Sequence, residues 1–140
     1  MHAAFEQADA DDQVRVLILA ATGKNFSAGA DLNWMKRMAS YTREENLRDS
    51  QALAAMLKSL NFLSKPSIAR VQGNLFAGAL LFLCNATHAI AAEGVKFSAP
   101  EIKRGIWPFM VMGGLFRVMP QRAALDFVMR GNTISTEQAE

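Results

Sequence analysis

Apolar residues along the chain fall into short continuous runs that alternate with segments of helical spacing. Val14 to Ala20 is apolar at every position except Arg15, which is typical of a strand covered on both faces of a parallel sheet. The runs Pro66–Val71 and Thr87–Glu93 predict two further strands, and a short fourth strand is expected at Val95–Ser98. These runs indicate a sheet with parallel strands.

Helical patterns precede, separate and follow these strands. Thr42 and Glu45 form a capping-box pattern, which predicts a helix that ends near Ser64, before Pro66. Gly131 has the position of a C-terminal cap. Other helices are expected at 2–10, 31–38, 79–86, 108–119 and 121–130, with one more beginning at 135–138. The alternation predicts a single α/β domain of stacked parallel strands with covering helices.

Loops of small residues follow the first two strands. They have the sequences GKNFSAGADL, at 23–32, and GNLFAGA, at 73–79. Neighbouring parallel strands would bring both loops to one sheet edge, where open α/β sheets bind ligands. Neither loop has the glycine and lysine spacing of a phosphate-binding loop or of a dinucleotide fingerprint. Two interpretations remain, a pair of N–H groups that binds one carbonyl oxygen or plain tight turns.

Composition excludes several other kinds of function. Half of the 140 residues are apolar and the net charge is +2, which is ordinary for a globular protein and too small to favour nucleic acid. The basic pairs at 36–37 and 103–104 are isolated, as on solvated helix faces. No apolar stretch is long enough to span a bilayer and no spacing suggests a metal site. The single cysteine, Cys84, is expected to be a buried hydrophobe in a cytoplasmic protein.

Three motifs together resemble those of the crotonase (enoyl-CoA hydratase/isomerase) superfamily. They are FSAGADL, KPSIARVQG with small residues after it, and KFSAPEIKRGIWP, in that order over nearly the whole chain. The first half, with SAGADLNWM, is most similar to the methylglutaconyl-CoA hydratase branch. The resemblance implies a crotonase-like ββα core, an acyl-CoA substrate with no separate cofactor, and a homotrimer or dimer of trimers. Family members are longer, so residues 1–140 would form a partial core domain without the N-terminal hairpin and C-terminal helices.

The resemblance also implies roles for particular residues. The N–H groups of Ala28 and Gly78 would form the oxyanion hole. The CoA moiety would bind along a loop that consists of Ala28, Gly29, Ala30, Asp31 and Leu32. Asp31 is read as the cap of the following helix rather than as a catalytic acid.

Acid–base chemistry is assigned through the same resemblance. Well-known hydratases use two glutamates; Leu81 stands at the first position and Glu101 at the second. Glu101 also has a structural interpretation, since an acidic residue after Pro100 stabilises a helix start. One retained glutamate fits an enoyl-CoA isomerase or a hydratase of branched or glutaconyl-type substrates. Phe109 and Met110 stand where many family members have small residues, so the resemblance does not assign the acyl group of the substrate.

Three hypotheses about function follow from the sequence. The first is an enzyme that stabilises a thioester enolate and adds water to, or shifts, the double bond of an enoyl-CoA. The second is a catalytically inactive CoA-binding or structural member of the same superfamily. The third is an unrelated α/β domain with chance similarity in its loops.

Overall fold

The computed structural model describes residues 1–140 and contains seven α-helices and six β-strands. The helices are α1 (His2–Ala10), α2 (Leu32–Met38), α3 (Arg43–Asn61), α4 (Leu80–Asn85), α5 (Phe109–Val118), α6 (Gln121–Arg130) and α7 (Thr136–Ala139). The strands are β1 (Leu17–Leu19), β2 (Ser67–Val71), β3 (Leu75–Phe76), β4 (His88–Ala91), β5 (Lys96–Ser98) and β6 (Thr133–Ser135). Short 3₁₀ helices lie at Ala77–Ala79 and Pro100–Arg104. The α/β prediction is confirmed.

The first sheet has the strand order β1-β2-β4 and is parallel throughout. One face, with Leu19 and Ala69, is buried in the core. On the other face Ile18 is 57% exposed and Ile90 is 58% exposed. The prediction that β1 is covered on both faces is therefore wrong for this chain, because no segment of it covers the second face. The strand is also shorter than the predicted run.

The second sheet has the order β3-β5-β6, with β3 and β5 parallel and β6 antiparallel to β5. Its strand β3 lies within the small-residue segment that the sequence presents as a loop opening a helix. A strand of two residues is too short to show the alternation of apolar and polar side chains that predicts strands. Only its pairing with β5 defines it as a strand. Ser27 forms a further parallel bridge to Leu75, so the first glycine loop joins this sheet.

Local signals fix several helix ends. In α3, the Glu45 N–H donates to Thr42 Oγ1 at 3.2 Å and the Thr42 N–H donates to Glu45 Oε2 at 2.8 Å, so the predicted capping box is confirmed. The helix ends at Asn61, before the predicted Ser64. Gly131 caps α6 in the left-handed conformation, also as predicted. None of the helices combines the length and apolar character required to cross a membrane.

Helices α4 and α5 pack closely in the main core because Gly114 has no side chain. A Cβ atom there would lie 2.8 Å from Leu81 Cδ2 and 3.1 Å from Cys84 Cβ. Cys84 is buried, as predicted, and burial raises the pKa of its thiol to about 11. A thiol that stays protonated at neutral pH is a poor nucleophile. Cys84 is therefore a packing residue.

Two adjacent glycines in α5 provide a direct test of this helix contact. Gly114→Ala should lower the free energy of unfolding by about 1–3 kcal/mol, because its methyl group overpacks the interface with α4. Gly113→Ala meets no atom within 4 Å and should raise stability by about 0.5–1 kcal/mol through helix propensity. Urea denaturation of both variants measures the difference. Equal effects would contradict the proposed close contact.

Candidate active site

Three chain segments leave one edge of the second sheet side by side. Ser27 pairs with Leu75 and Phe76 pairs with Ser98, and both pairings are parallel. Parallel neighbours lie about 4.8 Å apart and end at the same edge of the sheet. The residues that follow are Ala28, then Ala77 and Gly78, then Ala99, Pro100 and Glu101. The structure thus brings the predicted oxyanion loops and the predicted acid–base residue to one sheet edge.

The first two of these segments touch each other. A Cβ atom on Gly29 would lie 3.3 Å from Ala77 Cβ and 3.8 Å from Phe76 O, and Gly29 has a φ of +105°. Ala77 is itself left-handed, with φ of +57°, and is the one residue other than glycine with positive φ. That conformation costs an alanine about 1–2 kcal/mol. The strain is stored where the chain turns from β3 into the 3₁₀ helix that carries Gly78.

The N–H groups of this region divide into used and free ones. The Phe26 and Ser27 N–H groups donate to Asn74 O at 3.0 and 3.1 Å, and the Gly29 N–H donates to Ser27 Oγ at 3.2 Å. The Ala28 N–H between them has no acceptor within the chain. Gly78 lies in the first turn of a 3₁₀ helix, where N–H groups have no partner inside the helix. Ala28 and Gly78 are also both exposed.

The first loop is anchored to the end of β2 by residues that the sequence analysis did not single out for a role. Gln72 Nε2 donates to Gly23 O at 3.2 Å and to Asn25 O at 3.5 Å. A Cβ atom on Gly73 would lie only 1.9 Å from Lys24 O, so no side chain fits there. Gln72 and Gly73 therefore hold the base of the loop that carries Ala28. The available sequence signal was a polar residue and a glycine directly after a buried strand.

The rest of the predicted CoA-binding loop leads into α2. Asp31 is the N-cap of this helix, and its Oδ1 accepts the Trp34 N–H at 2.8 Å. The structural interpretation of Asp31 is thereby supported. Ala30 and Leu32 are exposed beside it, Leu32 to 63%. CoA binding by this loop stays a prediction.

Glu101 lies in the 3₁₀ helix that directly follows β5. Its carboxyl group is half-buried, and the Oε2 atom is inaccessible to solvent without a hydrogen-bond partner. Burial raises the pKa of this carboxyl above its ordinary value of 4.5, against the smaller opposing effects of a backbone hydrogen bond and of Arg104. The carboxyl groups of Asp9, Glu45 and Glu137 differ from that of Glu101, because hydrogen bonds that they accept lower their pKa. Glu101 thus has the environment expected of a proton-transfer group.

Leu81, at the position of the first glutamate, is 3% exposed and lies against α5. It has no group that could exchange a proton. The site therefore contains one candidate acid–base residue. No group of three or more histidine, cysteine, aspartate or glutamate side chains is arranged to hold a metal ion.

A cavity of about 280 Å³ lies elsewhere in the chain. Its lining is almost entirely apolar and includes Leu80, Cys84, Phe97, Leu115 and Ile134. Ala28, Gly78 and Glu101 do not contribute to it. We identify the sheet edge as the candidate site because it has free hydrogen-bond donors for a carbonyl oxygen and a carboxyl group that can exchange a proton. The apolar cavity does not provide this combination.

Residues 1–140 match the sequence model of the family described as enoyl-CoA hydratase/isomerase. The chain therefore belongs to this family, and the crotonase resemblance of its motifs is confirmed. A solved structure of an enoyl-CoA hydratase from Shewanella pealeana has 39% sequence identity and a TM-score of 0.94, with 98% of this chain and 52% of that chain covered.

Two curated relatives have comparable similarity. The 2,3-dehydroadipyl-CoA hydratase of Escherichia coli is 36% identical over 142 residues, which cover 97% of this chain and 52% of the relative. The enoyl-CoA isomerase/hydratase fer4 of Mycosarcoma maydis is 35% identical over 130 residues, covering 90% and 46%. The chain thus spans about half the length of the curated relatives it matches.

The raised pKa of Glu101 leads to a prediction about stability. The folded protein holds this proton to higher pH than the unfolded chain, whose carboxyl titrates near 4.5, so ionisation of Glu101 lowers stability as pH rises through the folded pKa. Glu101→Gln removes that ionisation. The variant should therefore gain stability relative to the parent at about pH 7, and the gain should shrink towards about pH 4.

Urea denaturation at both pH values measures this difference. Glu93→Gln makes the same chemical change at an exposed turn position and serves as the control. A gain for Glu101→Gln that is independent of pH, or matched by the control, would contradict a burial penalty at Glu101.

Proposed function

We propose that this chain provides the catalytic core of an enoyl-CoA hydratase/isomerase-type enzyme. The reaction would pass through a thioester enolate and either add water to the double bond of an enoyl-CoA or shift that double bond. The observation that carries the proposal is the parallel pairing of Ser27, β3 and β5, from which Ala28, Gly78 and Glu101 emerge side by side. Family membership supports the same reaction class.

Backbone donors would stabilise the enolate. In the proposed complex, the thioester oxygen accepts hydrogen bonds from the Ala28 and Gly78 N–H groups. Negative charge grows on that oxygen in the transition state, and removal of one such donor typically costs about 3–4 kcal/mol. The free Ala28 N–H and the exposed backbone of Gly78 support this role. Because both donors belong to anchored loops, little reorganisation would be needed when the charge develops.

Glu101 would transfer the proton. In isomerisation, its carboxylate takes a proton from the α-carbon of a 3-enoyl thioester and returns it to the γ-carbon, which moves the double bond to the 2-position. In hydration, the Glu101 carboxylate takes a proton from water while the water oxygen bonds to the β-carbon, and Glu101 then gives that proton to the α-carbon of the enolate. A carboxyl with a raised pKa is suited to both directions of transfer. Leu81 stands where two-glutamate hydratases have their other carboxyl group, so Glu101 alone fits both reactions. Assays with 2-enoyl- and 3-enoyl-CoA assign the main one.

The buried Leu81 also favours a second candidate, a catalytically inactive member that binds CoA esters or serves as a subunit. Such a protein would retain the anchored loops but would not turn over either enoyl-CoA. Binding measured by calorimetry, beside the two activity assays, separates these functions.

Further parts of the proposal concern ligands and assembly. The acyl-CoA would bind along Ala28–Leu32, with no cofactor apart from the CoA of the substrate. A homotrimer or dimer of trimers remains the expected assembly. The exposed Ile18 and Ile90 on one sheet face support a partner surface that covers them. The cytoplasm remains the expected location.

Replacement of Glu101 tests the mechanism. A positioned acid–base group contributes about 10²–10⁴-fold to rate. Glu101→Gln in the protein that carries this chain should lower kcat by at least about 10²-fold while the affinity for an acyl-CoA changes little, because the amide keeps the size of the side chain but cannot exchange the proton. Steady-state kinetics with both enoyl-CoA substrates and calorimetry with a saturated acyl-CoA give the two quantities.

Glu93→Gln is the matched control and should retain the activity of the parent. Normal turnover of Glu101→Gln would contradict the acid–base role. A parent protein that binds acyl-CoA but turns over neither enoyl-CoA substrate would instead support the second candidate.

A further inference from the structure

The turn that carries Glu101 packs directly against Gly131. This glycine is buried, and a Cβ atom on it would lie 3.0 Å from Ile102 Cγ2 and 3.3 Å from Lys103 Cε. Gly131 also has a left-handed φ of +57° and donates its N–H to Phe127 O at 3.1 Å and to Val128 O at 3.2 Å. Both its conformation and its surroundings therefore favour glycine.

Few other interactions hold this turn. No side chain caps the 3₁₀ helix Pro100–Arg104. Its backbone bonds at the C-terminal end are local, from the Gly105 N–H to Ile102 O and from the Ile106 N–H to Glu101 O, both at 3.1 Å. Bonds within the turn fix its shape but not its place on the molecule. Its place must come from β5 before it and from packing against other elements.

Gly131 supplies that packing from a fixed position. The chain enters β6 directly after it, and Thr133 of β6 pairs with Ser98 of β5. Ser98 in turn lies just before the turn that carries Glu101. The turn is thus enclosed between the end of β5 and the C-terminal cap of α6.

We propose that Gly131 is a positioning residue for Glu101, because its close contact with Ile102 keeps the adjacent carboxyl group at the sheet edge beside Ala28 and Gly78. The inference rests on the proposed function of Glu101. A methyl group at 131 would push the neighbouring Ile102 by a few tenths of an ångström. Displacements of about 1 Å in a positioned group can cost about 10²-fold in rate.

Gly131→Ala tests the inference with Gly94→Ala as the matched control. Gly94 is also left-handed, with φ of +76°, but has no atom within 4 Å of the added methyl group. Both variants therefore carry a similar backbone strain, and only the first presses on the turn of Glu101. We expect kcat to fall several-fold, to about 10-fold at most, in Gly131→Ala with KM nearly unchanged, and both to be nearly unchanged in Gly94→Ala.

A second readout does not depend on turnover. ¹³C NMR titration of the Glu101 carboxyl should show a lower pKa in Gly131→Ala than in the parent, since a displaced carboxyl is less buried, and no such change in Gly94→Ala. If Gly131→Ala does not fold well, Gly131→Asn tests the same contact, because asparagine tolerates the left-handed conformation and still carries a Cβ atom.

The inference is overturned if the two glycine variants change kcat and the Glu101 titration equally, or if neither changes them. That result is distinct from failure of the proposed function, which Glu101→Gln reports through retained turnover. A changed titration in Gly131→Ala alone supports the positioning role whatever the activity of the parent.

Discussion

The parallel pairing of Ser27 with Leu75, and of Phe76 with Ser98, is the constraint on which the candidate site depends. It aligns the ends of three segments that lie far apart in sequence. Two glycines permit it, since a side chain on Gly73 would collide with Lys24 O and one on Gly29 would press on Ala77. Anchoring of this kind supplies preorganised donors, which favour a charge that develops in the transition state.

The elements with strong local signals could be predicted from the sequence. The capping box at Thr42 and the left-handed cap at Gly131 specify their helix ends through side-chain chemistry and backbone freedom. Strand β3 could not be predicted, because its two residues become a strand only through distant partners. The exposed face of β1 was also missed, since an apolar run reports the character of its side chains and not whether another segment covers them.

The same division holds within the site. The loops around Ala28 and Gly78 and their shared sheet edge were predicted from small-residue patterns after two strands, and Glu101 was identified by family resemblance. The pairing of Ser27, β3 and β5, which brings all three together, is encoded by no local pattern. Gln72 and Gly131 have roles defined by contacts with residues distant in sequence. Leu81 shows the converse, because its identity alone excludes proton transfer while only the packing against α5 explains its burial. The chemistry of the site could thus be predicted from residue types. Its geometry could not, because it depends on tertiary contacts.

A crystal structure of the protein with a bound enoyl-CoA or a stable acyl-CoA analogue is the decisive test of the proposed oxyanion hole. We expect the thioester oxygen to lie about 2.7–3.1 Å from both the Ala28 and the Gly78 nitrogen atoms. We also expect the Glu101 carboxyl beside the carbon atoms that exchange a proton. A thioester oxygen bound away from these two nitrogens, or a Glu101 carboxyl turned away from the acyl group, would contradict the proposed site.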